Sequence, residues 1–284
     1  MKQFHFPAYR RGGGRMPRSA RLGALAVLLV GALVVCAAAR VRNMPVGCTN
    51  EDLTGTEALA LATAAPADSG ADPAPEEEKV VYLTFDDGPS KTTEKVLDVL
   101  KTEGVPATFF VIAAENNEKY LSTLQRTVSE GHLVALHSCS HEYHDIYASP
   151  EAYWQDIEQL KQTIAPYVPY DCAYLRFPGG STNTVSRKYG GSNIMKDLKA
   201  QAVEKGYTYV DWNVCADDAV GGHPSAQTIY ENVVRDVGKK HTCVVLMHDT
   251  GATKNTAAAL PDIIKWFKNA GYRFDTVDHL QKQI

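Results

Sequence analysis

From residue 80 onward, short apolar runs rich in β-branched and aromatic residues alternate with stretches of helical periodicity, and that alternation leaves few folds open. The strand-like runs are "VVYLTF" (80–85), "ATFFVI" (107–112), "LVAL" (133–136), "AYLRF" (173–177), "YTYVDW" (207–212), "CVVLMH" (243–248) and "YRF" (272–274). Helical patterns fall near 91–103, 116–130, 149–165, 193–206, 226–240 and 256–270, with a short terminal helix after the last run. Strict alternation implies a parallel sheet with crossover helices. About seven strands suit an α/β fold of the TIM-barrel kind, a distorted or open (β/α) barrel. In such barrels the chemistry sits at the carboxyl ends of the strands.

Polar residues do cluster after the strands. Asp86 and Asp87 close the first run, before a Gly88-Pro89 turn. Neighbouring carboxylates repel, so the pair has a cost unless a cation holds one of them. The alternative is a pair of caps, since aspartate is common at turns and helix starts. His137 and His141 follow the third run in "HSCSH", and Arg176 ends the fourth, before Pro178 and Gly179. Asp211-Trp212 ends the fifth, and His248-Asp249 the sixth. Each alone would pass for a cap; five such ends on one barrel face do not.

His137 and His141 are four residues apart, so on a helical turn both imidazoles would point to one side and suit a divalent metal. Two histidines and one carboxylate are three protein ligands, the number in a catalytic site that keeps a position open. One aspartate is then neutralised by the metal and the other stays free as a base. His248 is placed to donate a proton, with Asp211 to orient and charge it, and Arg176 to keep the free aspartate anionic. Trp212 and Leu246 form either an apolar wall for an acetyl methyl group or ordinary core. Asp217, Asp218 and Asp249 read as loop carboxylates or caps. The set points to metal-assisted hydrolysis of an acyl bond.

"TFDDGP", "HSCSH", "RFPGG", "DW" and "LMH", in this order, resemble the polysaccharide deacetylases (NodB-homology domains, carbohydrate esterase family 4) over nearly all of residues 80–284. The resemblance implies Asp86 as general base, Asp87, His137 and His141 as ligands of one divalent ion, usually zinc with cobalt accepted, and His248 as general acid. It implies Arg176 beside the base, Asp211 beside the acid, and substrate contacts at Pro178, Gly179, Trp212 and Leu246. The substrates it implies are N-acetylated sugars of peptidoglycan or chitin, or O-acetylated xylan. The family often has a tyrosine where Gly179 stands, with its backbone N–H in the oxyanion hole; glycine keeps that N–H and removes the bulk.

The N-terminal region differs in composition. Six basic residues (Lys2, Arg10, Arg11, Arg15, Arg18 and Arg21) precede "LGALAVLLVGALVVCAAA" (22–39), 18 residues without a charge. That length just spans a bilayer core of about 30 Å, and the basic flank favours a cytoplasmic N-terminus with the rest outside. Arg40 directly after the small residues favours an uncleaved anchor; a signal peptide cleaved after them is the alternative. Residues 43–79, rich in Ala, Pro and Glu, read as a linker. A net charge of -4 argues against a nucleic-acid partner. The chain holds 6 cysteines, and beyond the anchor disulfides are permitted, Cys139 with Cys215 being one conceivable pair against buried free thiols. The expectation is an anchored, metal-dependent deacetylase of N-acetylglucosamine in cell-wall glycan. An O-acetyl esterase and a silent glycan-binding module are the alternatives.

Overall fold

A computed structural model of the chain describes residues 78–281. In chain order the elements are β1 (Val80–Asp86), α1 (Lys91–Glu103), β2 (Thr108–Ile112), α2 (Thr123–Ser129), β3 (Leu133–Ser138), α3 (Tyr143–Ile146) and α4 (Pro150–Ile164). There follow β4 (Tyr174–Leu175), α5 (Arg187–Gly190), α6 (Ile194–Glu204), β5 (Thr208–Tyr209), β6 (Val214–Cys215), α7 (Ala226–Val237), β7 (Thr242–His248), α8 (Lys254–Asn269) and β8 (Arg273–Asp275). The pattern expected near 116–130 splits into a 3-10 turn at Glu118–Tyr120 and α2, and the terminal helix is a 3-10 turn at Val277–His279. The N-terminal apolar run, the basic residues before it and the linker up to residue 77 lie outside the described residues. Among the described residues, no helix is long and apolar enough to cross a membrane.

All strand pairings are parallel, in the order β5-β4-β3-β2-β1-β7-β6. β7 pairs along the whole of β1, while β2 takes the carboxyl half of β1's other edge and β8 its amino half. The sheet has eight strands because the run at 207–212 is not one strand. Its pairing with β4 ends at Val210, whose N–H bonds Leu175 O, and the chain then crosses to β7, where Asn213 N meets Val244 O. β5 and β6 are therefore opposite edges of the sheet, joined by residues 210–213 rather than by a ladder.

Alternation along β1 explains the two cores. Val81, Leu83 and Phe85 face the helices, packed with Phe109, Leu136, Val245 and the buried faces of α1, α4 and α8. Val80 and Tyr82 face inward with Phe110, Ala135, Val210 and Val244. Toward the carboxyl end the inward positions of β1 become Thr84 and Asp86, both buried. The interior thus changes from apolar to polar along the strands.

Arg176, directly after β4 and 0% exposed, crosses that interior. Nη1 donates to Thr84 Oγ1 and Asp86 Oδ1, both at 2.8 Å, while Nε reaches Val210 O at 2.9 Å and Nη2 reaches Asp211 O at 3.0 Å. One side chain thereby joins β1 to the segment that crosses the open seam. Removing one partner of a buried ion pair strands the other charge, which typically costs about 3–5 kcal/mol. We therefore predict that Arg176→Met lowers the unfolding free energy by about that much in urea titrations. A loss below about 1 kcal/mol, an ordinary surface effect, would show that the pair does not hold the seam.

Candidate active site

Parallel register sets Asp86 of β1 beside His248 of β7. Paired residues of a parallel ladder point the same way, so both side chains face the carboxyl-end mouth of the barrel. Arg176 binds Asp86 Oδ1; Oδ2 is left toward the mouth, 3.8 Å from His137 Nε2.

Asp87 begins the loop. Its φ of 70° is the left-handed region, which aspartate tolerates better than most residues. Asp87 N donates to Phe110 O, and Asn117 Nδ2 donates to the carbonyls of both Asp87 and Pro89 at 3.0 Å. The carboxylate faces the two histidines, with Oδ1 3.4 Å from His137 Nε2 and 3.3 Å from His141 Nε2. Burial pushes the Asp87 carboxyl up, but the neighbouring histidines, His141 foremost, outweigh it and hold it below the usual carboxylate range.

His137 ends β3 and His141 follows a turn with φ of 58°, so the pair is not on a helical turn as its spacing suggested. The side chains converge because a strand end and a left-handed residue aim them together; their ring centroids are 5.2 Å apart. His137 Nδ1 lies 2.7 Å from Arg176 O. A carbonyl can only accept, so Nδ1 carries the proton and Nε2 presents a lone pair to Asp87. Burial lowers the His137 pKa, against the pull of Asp86 and Asp87, and keeps the ring neutral.

A buried carboxylate oxygen, Asp87 Oδ1, thus has no hydrogen-bond partner and faces a lone pair of His137. Such a group is costly unless a cation completes it. The donor atoms of Asp87, His137 and His141 lie within 4.8 Å of one another. One carboxylate and two imidazoles fit a divalent ion of the zinc type.

The partner of His248 is Asp218, not Asp211. Asp218 Oδ1 lies 2.9 Å from His248 Nδ1, Oδ2 accepts His248 N at 2.7 Å, and Thr256 Oγ1 donates to Oδ2. Burial alone would lower the His248 pKa; the Asp218 charge and hydrogen bond, with Asp87 and Asp86, raise it to about 10. Asp211 instead accepts Ser181 N at 2.8 Å and Ser181 Oγ at 2.5 Å, which fastens the turn after Arg176. Splitting the strand at 207–212 puts the Asp217-Asp218 pair just beyond β6, so the strand-end rule itself would have selected it. Asp217 pairs with Arg235 at the surface. Asp249 is buried, bonded to Thr93 Oγ1 and packed against Gly88, where a Cβ would collide with its carboxylate. Burial raises its pKa to about 7.

The polysaccharide deacetylase family model matches residues 74–202. The putative polysaccharide deacetylase YheN of Bacillus subtilis is 32% identical over 206 residues, 71% of this chain and 68% of that protein. The chain belongs to the polysaccharide deacetylase family. A peptidoglycan N-acetylglucosamine deacetylase of Bacillus cereus is 34% identical, covering 72% of this chain and 90% of that protein. The solved catalytic domain of a peptidoglycan N-acetylglucosamine deacetylase from Eubacterium rectale superposes with a TM-score of 0.69 at 37% identity, over 76% of this chain and 96% of that one. Membership places the chain among deacetylating hydrolases.

Around the mouth of this deacetylase, Pro178 O accepts Tyr147 Oη at 2.7 Å and Asn183 Nδ2 at 3.0 Å. Gly179 has φ of 79°, and a Cβ there would stand 2.6 Å from Tyr143 Oη, so a side chain at 179 is strained and requires the tyrosine to move. Tyr143 itself packs edge-on against His141, with burial, Asp87 and Asp86 holding its phenol well above the ordinary range. Trp212 lies over Arg176, 5.6 Å from ring centroid to Cζ, and against Gly180. Leu246 is a buried inward position of β7. Cys139, Cys172 and Cys243 are free thiols, so the pair Cys139–Cys215 is not formed.

We predict one divalent ion per chain, held by Asp87, His137 and His141. Metal analysis should find it in the wild type and not in the His137→Ala/His141→Ala double variant or in Asp87→Asn. Full metal content in the double variant would remove the assignment.

Proposed function

We propose that this chain is a metal-dependent deacetylase of N-acetylglucosamine in cell-wall glycan, tethered to the membrane by residues 22–39 with residues 80–284 outside. One observation carries the chemistry: the unpartnered Asp87 oxygen facing two imidazoles, between an aspartate gripped by arginine and a histidine gripped by aspartate. The substrate follows the activity for which the Bacillus cereus and Eubacterium rectale relatives are named. The tether follows the basic flank and uncharged run of the sequence.

A divalent ion at Asp87, His137 and His141 would polarise the acetyl carbonyl and acidify a water. Asp86 Oδ2, the oxygen not taken by Arg176, removes a proton from the attacking water. His248 Nδ1 is committed to Asp218, so Nε2 is the atom that gives a proton to the leaving sugar nitrogen. The products are acetate and the free amine. A silent binding module is disfavoured, because base, ligand set and acid are all present.

Acetate release by the full-length protein on peptidoglycan, chitin oligomers and acetylxylan tests the substrate. Release from acetylxylan alone would replace this reading by the O-acetyl esterase. Asp86→Asn should keep its metal and lose about 10²–10⁴-fold in rate, the usual contribution of a general base. Near-wild-type turnover in that variant would overturn the role.

The pH profile separates the two aspartates. A pKa raised by a partner means His248 is protonated below that pKa, so rate is held there and lost as pH rises through it. Asp218→Asn keeps an acceptor for Nδ1–H but removes the charge, and should move the alkaline limb down by about 1–3 pH units. Asp211→Asn should leave the limb in place. The reverse pattern would restore Asp211 as the partner of the acid.

A further inference from the structure

The turn that carries the second histidine leaves the β2–β3 ladder after Ser138, with one more cross-strand bond from Ala113 N to Cys139 O, and its remaining main-chain N–H groups are held otherwise. Cys139 N and Ser138 Oγ each donate to Asp156 Oδ2 at 2.7 Å, and Ser140 N donates to Asp156 Oδ1 at 2.9 Å. Ser138 Oγ in turn accepts His141 N at 2.8 Å. Three successive main-chain N–H groups are thus gathered around one carboxylate, two directly and the third through a serine hydroxyl. Concave arrangements of successive N–H groups are natural anion sites, and here the anion is part of the chain.

We infer that Asp156 is a positioning residue for the metal site: its carboxylate holds the turn 138–141 in the shape that aims His141, together with His137, at Asp87. This rests on the metal-site reading proposed above. Asp156 does not come from the turn itself. It stands on α4, between Tyr153, Ile157 and Leu160, whose burial seats the helix on the outer core. The carboxylate is therefore placed by helix packing, and it transmits that placement to the histidine turn. His141 needs such support, because a left-handed φ on a residue other than glycine costs of order 1–3 kcal/mol and persists only where its surroundings over-determine it. His137 has a second, separate constraint in Arg176 O, so loss of Asp156 should act mainly through His141.

The functional consequence is preorganisation. With the turn fixed in advance, ion binding does not have to order it; without Asp156, ordering the turn opposes binding. Groups that orient metal ligands typically contribute 10–100-fold in affinity. A merely structural Asp156 would lower the melting temperature and leave the affinity of the folded protein unchanged.

The test is calorimetric titration of the metal-free full-length protein with Zn²⁺, well below its melting temperature, for wild type, Asp156→Asn and Ser138→Ala. Circular dichroism establishes that each is folded. Asp156→Asn keeps one acceptor oxygen but turns an amide NH2 toward donors of the turn, and should bind zinc about 10–100-fold more weakly. Ser138→Ala keeps both main-chain bonds to Asp156, loses only the relay to His141, and should bind several-fold more weakly; it carries the test if Asp156→Asn does not fold. An unchanged constant in a folded Asp156→Asn, or in Ser138→Ala where that variant stands alone, overturns this inference. A wild type that takes up no zinc overturns the site reading, and this inference with it.

Discussion

A guanidinium sealed from water stands at the centre of this domain, and the rest of the site is arranged around it. Arg176 Cζ lies 4.1 Å from the centroid of the Phe110 ring and 5.6 Å from that of Trp212, so aromatic rings help to confine the guanidinium. Its side chain fixes Asp86, and its own carbonyl fixes the tautomer of His137. One residue therefore prepares both the proposed base and a proposed metal ligand. Buried ion pairs give little net stability against their desolvation, so this one is better understood as a device for orientation. It directs one oxygen of Asp86 inward and leaves the other for chemistry.

Two histidines of the same site are held in opposite charge states by what their Nδ1 atoms meet. His137 meets a carbonyl and is neutral, as its proposed role of metal ligand requires; His248 meets a carboxylate and is charged, as its proposed role of acid requires. His137 is buried and His248 half-buried, and burial lowers the pKa of both, so burial alone cannot put them in opposite charge states. The separation comes from Asp218, one of three carboxylates that support the site. Asp218 charges the acid, Asp211 fastens the turn after Arg176, and Asp156 braces the histidine turn.

Much of this was legible in the sequence. The alternation of strand and helix signals gave the parallel architecture, and α1, α4, α7 and α8 fall close to their expected ranges, because amphipathic spacing and caps are local properties. Asp87, His137 and His141 could be selected because each stands at or just past the end of a strand. The supporting layer was harder. "YTYVDW" has strand composition throughout, yet its pairing ends at Val210, where Arg176 and Ser181 take over Asp211. That long-range event leaves no local mark, and it misdirected the choice between Asp211 and Asp218. Asp156 did leave a mark: it lies three residues after Tyr153 and beside Ile157, an acidic group on the core face of an amphipathic helix. The spacing of His137 and His141 was sound for convergence but wrong about its cause, since a left-handed residue after a strand substitutes for a helical turn.

The fit between Gly179 and Tyr143 links two positions that are far apart in the chain. The phenol of one occupies the volume that any side chain on the other would require. These positions are therefore one decision rather than two. A deacetylase of this architecture with a bulky residue at 179 has to shrink or redirect residue 143, and exchanging both at once is the route by which the rim beside His141 can be reshaped without disturbing the residues beneath it.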